Sequence, residues 1–171
     1  GTTATSGGDD DGRRRKIGLV LCVDRSRKKV EAMARRMEEM GLRYPRGPAV
    51  PIVMDSSAPC GDDDAEFDGD SLRETIRRAT STEDVPMTMR ASSLRPGIFD
   101  RVLLDPPCSA LGLRPKLGLG PSHHEIRPED LESQAAVQRN FVRRAVALLR
   151  AGGVMTYSTC TYHIGENEGV V

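Results

Sequence analysis

Two cysteines in this chain have the residue type and sequence context that suit covalent chemistry. Cys108 lies in the segment Asp-Pro-Pro-Cys-Ser over residues 105–109, and Cys160 lies in Thr-Cys-Thr over residues 159–161. A thiolate is the strongest ordinary side-chain nucleophile near neutral pH. The two prolines restrict the backbone just before Cys108, so we expect Asp105 and Cys108 to be held in place. Two such thiols at one site would allow one to attack a substrate while the other moves a proton.

Four apolar runs predict the strands that position these side chains. The runs cover residues 17–23, 50–54, 99–104 and 154–157. The first three end at Asp24, Asp55 and Asp105, and the fourth leads to Cys160. Apolar runs of this length are typical of strands in a parallel sheet, whose ligands bind beyond the carboxyl ends of the strands. We therefore expect the three carboxylates and the thiols to converge on one crevice.

Helical patterns separate these runs and complete an alternating α/β order. The first predicted helix is capped by Ser26 and runs to about Met40, the second covers 71–79, and the third covers about 129–150 and ends at Gly152 and Gly153. The apolar positions expected to be buried are Val30, Met33, Met37 and Met40 in the first helix and Leu131, Ala135, Phe141, Ala145, Val146 and Leu149 in the third.

Composition limits the class of protein. The 171 residues suit one domain, with 25 basic and 25 acidic side chains and therefore no net charge. No apolar run approaches the roughly 20 residues of a membrane span. The four cysteines are widely spaced, without a Cys-x-x-Cys pair, and the histidines lack metal-type spacing. We expect free thiols in a reducing, intracellular compartment, either cytoplasm or nucleus, with no metal and no membrane partner.

Two stretches are predicted to lie outside the core. Residues 1–16 are small, acidic and then basic, which indicates a flexible lead-in. Residues 56–98 combine an acidic loop with a Ser/Thr-rich connector, and we interpret most of this stretch as an insertion between core elements. The remaining predicted domain covers residues 17–171.

The strand-end residues permit more than one reading. Two carboxylate oxygens match the vicinal diol of a ribose, so Asp24 is a candidate nucleotide ligand, and the alternative is that it only initiates the following helix. Asp55 lies in a loop, where aspartate is common. An exposed cysteine is usually incidental, although two at neighbouring strand ends are less so.

At these residues the chain resembles the Nol/Nop/Sun family of RNA cytosine-5 methyltransferases. The resemblance rests on Val-Asp-Arg-Ser over residues 23–26, on the segment 99–109 that ends in Asp-Pro-Pro-Cys-Ser, and on Tyr-Ser-Thr-Cys-Thr over residues 157–161, followed by Glu-Asn-Glu over residues 166–168. The segment 108–117 is most similar to the branch that modifies the acceptor-stem end of tRNA. The resemblance implies a Rossmann-like fold, S-adenosylmethionine as methyl donor, and RNA as substrate.

The resemblance also implies roles for individual residues. The thiolate of Cys160 would add to C6 of cytosine, and Cys108 would help to release the methylated product. Asp105 would orient the base or the donor, and Asp24 would hold the donor ribose. Asp55 would contact the adenine, with Asp68 as an alternative. The loop residues Arg114 and Lys116, which lie beside Cys108 in the sequence, are candidates for binding RNA phosphates.

One part of the family pattern is not found in this sequence. The Gly-rich donor-binding loop and its strand should lie upstream of Ile17, and the final strands of the fold are also missing from the expected pattern. The predicted catalytic domain is therefore partial. Because such loops supply backbone N–H groups to the donor, we expect this chain alone to bind it with a dissociation constant no better than roughly millimolar and to leave RNA unmethylated.

Two other functions are compatible with the motifs. In a DNA cytosine-5 methyltransferase, Cys108 itself would be the nucleophile and Cys160 would have no role. In an inactive methyltransferase-like module that binds RNA or protein, neither thiol would be needed at the sheet edge.

Overall fold

A computed structural model describes residues 18–79, 86–113 and 127–171 of the chain. The predicted lead-in over residues 1–16 and the loop residues Arg114 and Lys116 lie outside these ranges.

Parallel strands and intervening helices make up the described structure, in the order β1 (Val20–Asp24), α1 (Arg27–Glu39), β2 (Ala49–Val53), α2 (Gly69–Ala79), β3 (Met87–Thr88), β4 (Phe99–Leu104), α3 (Pro128–Leu148) and β5 (Leu149–Tyr157). Strands β1, β2 and β3 form one sheet in that order, and β4 pairs with β5. All of these pairings are parallel. The predicted parallel α/β architecture is confirmed.

The first β–α unit shows how local sequence sets the element boundaries. Ser26 caps α1, because its side chain accepts a hydrogen bond from the backbone N–H of Lys29. The helix stops before Gly41, whose φ of +67° suits glycine. Val30 and Met37 are buried as expected, but Met40 is 69% exposed because it lies at the C-cap, beyond the last helical turn.

Strand β1 is less buried than its apolar sequence suggests. Its continuous apolar run predicts a strand covered on both faces, yet Val20 is 51% exposed and the following four residues are only partly buried. Among the described residues β1 pairs only with β2, which leaves its other edge without a neighbouring strand.

Residues 56–98, which we interpreted as an insertion between core elements, pack against the β1–β2 sheet. This stretch supplies α2 and the two-residue strand β3, which extends the β1–β2 sheet. Leu72, Ile76 and Leu94 pack with Ile52 of β2 in the main apolar cluster, and each is at most 5% exposed. The stretch therefore forms part of the core, and its apolar side chains are buried against the sheet.

The boundary between the last helix and strand also differs from the prediction. Helix α3 ends at Leu148, and β5 already begins at Leu149, which pairs with Phe99. Residues 150–153 then bulge out before Val154 pairs with Arg101, and Gly152 adopts a φ of +74° in this bulge. The glycines thus form a bulge within β5 rather than a stop after α3.

Burial along α3 differs from the apolar pattern. Ala135 and Ala145 are buried, whereas Val146 is 54% exposed. The polar Gln138 is completely buried on this face, and its amide nitrogen donates two hydrogen bonds there. In the part of the chain that the structure describes, no helix is long and apolar enough to cross a membrane.

Candidate active site

The ends of β4 and β5 bring Cys108 and Cys160 together. The two strands are parallel neighbours, with Leu104 opposite Tyr157, and the backbone N–H of Ser158 continues the pairing by donating to the Leu104 carbonyl at 3.0 Å. The chain then leaves both strands in adjacent loops. The Sγ atoms of Cys108 and Cys160 lie 3.1 Å apart, both thiols are free, and both residues are partly buried.

Direct contacts join the two cysteine loops. The backbone N–H of Gly112 donates to the carbonyl of Cys160 at 2.9 Å, and Ser109 Oγ lies 2.9 Å from Thr161 Oγ1, within hydrogen-bond distance. A Cβ on Gly112 would lie 2.9 Å from the Cys160 carbonyl oxygen, so this close approach requires glycine. Ala110 bends the first loop with a φ of +56°, which is uncommon for a residue with a side chain.

A buried carboxylate lies behind Cys108. Glu166 has no exposed surface and accepts three hydrogen bonds, from the Ser109 backbone N–H, the Ser109 hydroxyl and the Gln138 side-chain amide. Burial acts to raise the pKa of Glu166, but the hydrogen bonds from Ser109 and Gln138 outweigh it and lower the pKa. Glu166 is therefore ionised near neutral pH.

Asn167 stabilises the loop of Cys160 from the same segment. Its side-chain oxygen accepts a hydrogen bond from the Thr159 hydroxyl at 2.6 Å, and its amide donates to the backbone carbonyls of Thr161 and His163, each at 3.1 Å. The loop of Cys160 is thus fixed on both sides of the thiol.

The electrostatics of the thiol pair affect the protonation of Cys160. The hydrogen bond with Cys108 is the largest influence that raises the pKa of Cys160, and burial and the Cys108 charge act in the same direction. Near neutral pH Cys160 is therefore a protonated thiol, which needs a base before it can act as a nucleophile. Cys108 is the neighbouring group with which it shares a hydrogen bond.

Asp24 is the last residue of β1, and Asp55 follows the end of the neighbouring strand β2. The Met54 backbone N–H donates to the Asp24 carbonyl at 3.2 Å, which keeps the two strand ends in register. The Asp24 carboxylate accepts a hydrogen bond from the Ser26 backbone at 2.7 Å and lies 3.6 Å from the Lys29 ammonium group. The exposed Asp55 accepts hydrogen bonds from the hydroxyl and the backbone N–H of Ser57, and these lower its pKa.

Helix α3 connects the Asp55 loop to the cysteine loops. The Gln138 side chain donates to the carbonyl of Pro107, next to Cys108, at 2.9 Å. Two residues further along the helix, the Asn140 amide donates to the Ser57 carbonyl at 3.2 Å. One turn of α3 therefore contacts both loops, through side chains that leave the helix in different directions.

The other two predicted carboxylates differ in their surroundings. Asp105 is exposed directly after β4, three residues before Cys108. Asp68 precedes α2, and its carboxylate accepts hydrogen bonds from the backbone of Asp70 and from the backbone and hydroxyl of Ser71. Asp68 thus acts as a helix cap, and none of these hydrogen bonds joins it to the loop of Cys108.

The sequence did not predict which residues fix the positions of the two cysteine loops, namely Glu166, Gln138 and Gly112. Glu166 carried a signal, because it begins the Glu-Asn-Glu segment that supported the resemblance, but no role followed from it. Gln138 lies on a helix face between buried alanines, and Gly112 lies in a loop with other glycines. Within the described residues, no group of three or more His, Cys, Asp or Glu side chains could hold a metal ion.

Comparison with known sequences identifies the family to which this geometry belongs. The family described as 16S rRNA methyltransferase RsmB/F matches residues 63–171, which is more than half of the chain. The chain belongs to this family. The match includes Cys108, Cys160 and Glu166, whereas Asp24 and Asp55 lie before its first residue.

Individual RNA methyltransferases are similar to this chain over part of their length. An rRNA (cytosine-C(5))-methyltransferase, NOP2C of Arabidopsis thaliana, is 46% identical over 82 residues, which are 48% of this chain and 13% of that protein. A tRNA (cytosine(72)-C(5))-methyltransferase of Pyrococcus horikoshii is 49% identical over 72 residues, which are 42% of this chain and 17% of that protein.

A solved structure supports the fold over most of the chain. The crystal structure of NSun6 from Pyrococcus horikoshii with SFG superposes with a TM-score of 0.52 at 28% identity, covering 89% of this chain and 29% of that one. The predicted Rossmann-like methyltransferase fold is confirmed. The chain spans less than a third of the length of each of these three relatives.

Proposed function

We propose that this chain carries the catalytic thiols of an S-adenosylmethionine-dependent enzyme that methylates C5 of cytosine in RNA. The observation that carries the proposal is the 3.1 Å separation of Cys108 and Cys160 at the ends of β4 and β5. The family match includes both thiols, and the similar proteins named above methylate cytosine C5 in rRNA or tRNA.

In the proposed reaction Cys160 is the nucleophile. Because its pKa is raised, it must first lose its proton; Cys108, whose Sγ lies 3.1 Å away, can take this proton and pass it on to solvent, which leaves Cys108 free to act as a base later. The Cys160 thiolate then forms a bond to C6, and the electrons of the C5–C6 double bond move to C5, which becomes nucleophilic. With the donor bound, C5 would take its methyl group as the S–CH3 bond of the sulfonium breaks, and S-adenosylhomocysteine would leave with the bonding electrons.

Cys108 completes the reaction by releasing the product. Once C5 carries both a hydrogen and the methyl group, the Cys108 thiolate takes the C5 proton. The electrons of that C–H bond restore the C5–C6 double bond, and the C6–S bond to Cys160 breaks. The close contact between the two sulfurs means that both can reach neighbouring ring atoms without a rearrangement of the loops.

The carboxylates fit the donor in part. S-adenosylmethionine supplies an electrophilic methyl group, and SFG, an analogue of it, is named with the NSun6 structure. Asp24 and Asp55 lie at the carboxyl ends of adjacent parallel strands, where such folds bind nucleotides. In the proposal Asp24 accepts hydrogen bonds from the ribose and Asp55 from the adenine amino group, while Asp105 orients the base or the donor.

Trapping of a covalent adduct tests the proposal. In the full-length protein, Cys108→Ala is expected to accumulate a protein–RNA adduct that survives denaturation, because release is blocked. Cys160→Ala should form none, and Cys60→Ala serves as a control at a cysteine outside both motifs. The assay uses a synthetic tRNA acceptor stem with S-adenosylmethionine and reads the adduct by denaturing electrophoresis and mass spectrometry.

The same assay separates the competing functions. If Cys160→Ala still forms an adduct with 5-fluorocytosine RNA, the roles of the two thiols are reversed, as a DNA-type mechanism would require. If no variant forms an adduct and the unmutated protein transfers no methyl group, the inactive binding module is favoured. A tRNA substrate is proposed first, and Arg114 and Lys116 are proposed to contact its phosphates.

A further inference from the structure

Gln138 and Glu166 form hydrogen bonds with the backbone on both sides of Cys108. Gln138 donates to the carbonyl of Pro107, which belongs to the peptide group before Cys108. Glu166 accepts from the N–H of Ser109, which belongs to the peptide group after Cys108. Gln138 also donates to Glu166 at 2.9 Å, so the two side chains act as one unit. Both are completely buried.

The arrangement determines how the Gln138 amide is oriented. Its nitrogen lies 2.9 Å from two acceptors, the Pro107 carbonyl and a Glu166 carboxylate oxygen, so only the amide nitrogen can occupy that position. The amide oxygen is buried and has no hydrogen-bond partner among the described residues. A buried polar atom without a partner is costly, which indicates that the bonds made by the nitrogen dominate the placement of this side chain.

Glu166 is also connected to the loop of Cys160. The Tyr157 hydroxyl, at the end of β5, donates to the Glu166 backbone carbonyl at 2.8 Å. The Ser109 hydroxyl, which donates to the Glu166 carboxylate, also lies 2.9 Å from Thr161 Oγ1. Displacement of Glu166 would therefore loosen the contacts that hold Cys108 beside Cys160.

We propose that Glu166 is a positioning residue that sets the distance between the two catalytic thiols by fixing the peptide groups around Cys108. The catalytic role of the thiols rests on the function proposed above, whereas the effect of Glu166 on the distance between them does not. A carboxylate suits this task because its two oxygens accept the Ser109 N–H, the Ser109 hydroxyl and the Gln138 amide at the same time. Truncation of Glu166 would remove the acceptor of all three donors.

The thiol–disulfide equilibrium of the Cys108–Cys160 pair measures this positioning directly. Oxidised glutathione oxidises the two protein thiols to a disulfide. In the same reaction each molecule of oxidised glutathione is reduced to two molecules of glutathione. The ratio of species at equilibrium reports the effective concentration of one thiol at the other. The experiment uses purified protein with Cys22→Ala and Cys60→Ala, without RNA or donor, and counts free thiols by alkylation and mass spectrometry.

Glu166→Ala should lower the effective concentration by about tenfold or more, since it removes hydrogen bonds to a charged group. Glu166→Gln keeps an acceptor oxygen for the Ser109 N–H and should cause a smaller decrease. Glu168→Gln, an exposed glutamate in the same segment, is the matched control and should behave like the parent protein. Denaturant unfolding of each variant shows whether a change is local or reflects global destabilisation.

The outcomes decide the proposal. If Glu166→Ala folds and keeps the parent effective concentration, Glu166 does not position the thiols. If Glu166→Ala does not fold, Ser109→Ala and Glu166→Gln must both lower the effective concentration, and parent values in both would overturn the inference. In the methylation assay Glu166→Gln should lower kcat and leave the KM for RNA unchanged. Absence of methylation in every variant would refute the proposed function alone, because the thiol equilibrium requires no substrate.

Discussion

Gly112 offers the sharpest test of how the site is assembled. Its backbone N–H donates to the Cys160 carbonyl at 2.9 Å, and a Cβ added at Gly112 would lie 2.9 Å from that same oxygen and 3.4 Å from its carbon. Both contacts are to backbone atoms, so no flexible side chain can move aside. Gly112→Ala should therefore push apart the two loops that carry the thiols.

The size of the effect follows from this contact. An ordinary van der Waals contact begins at 3.4 Å, so the oxygen and the new Cβ must separate by about half an ångström. Overpacking of this kind costs about 1–3 kcal/mol, and weakening of the Gly112 hydrogen bond costs about 0.5–1.5 kcal/mol. Because the strain is relieved by parting the loops and the two costs add to about 1.5–4.5 kcal/mol, the effective concentration of Cys108 at Cys160 should fall roughly tenfold to a thousandfold.

The glutathione equilibrium described above is the appropriate assay, because global stability would obscure the effect. A Gly→Ala change restricts the unfolded chain, which stabilises a protein by about 0.4–1 kcal/mol where the folded conformation allows it. Gly69→Ala is the matched control, since a Cβ at that position meets no atom within 4 Å. If Gly112→Ala and Gly69→Ala show the same effective concentration, the loops are not held together through Gly112.

Two further predictions concern protonation and the core. Cys108→Ala should lower the pKa of Cys160, because the hydrogen bond with Cys108 is the largest influence that raises it. Alkylation of Cys160 should then accelerate at lower pH than in the unmutated protein. An unchanged pH profile would contradict this cause of the raised pKa. Leu94→Ala, in the stretch first interpreted as an insertion, should cost about 2–5 kcal/mol in urea unfolding because Leu94 is fully buried. Met40→Ala, at a side chain 69% exposed, should change the free energy of unfolding by less than about 0.5 kcal/mol.

The sequence determined the elements whose signals are local. Strand β4 follows the predicted run over residues 99–104, and α1 begins at the predicted Ser26 cap and stops before Gly41. These features depend on short-range hydrogen bonds and on backbone conformations that particular residue types favour. The alternation of these elements also predicted the parallel sheet, because parallel strands require crossover connections.

The tertiary structure decided the features that depend on distant partners. Strand β3 has two residues, too few for a periodic pattern, and exists because it pairs with β2. Residues 150–153 form a bulge because the residues before and after them, Leu149 and Val154, pair with Phe99 and Arg101, which are only two residues apart in β4.

The candidate site shows the same division. The sequence singled out Cys108 and Cys160 because their residue types carry chemistry and their neighbours are distinctive. Glu166 and Gln138 are 28 residues apart, and each would be taken for a surface side chain from its sequence alone. Their burial is tolerated only because folding brings each to the other and to the peptide groups around Cys108, and no local pattern encodes that coincidence.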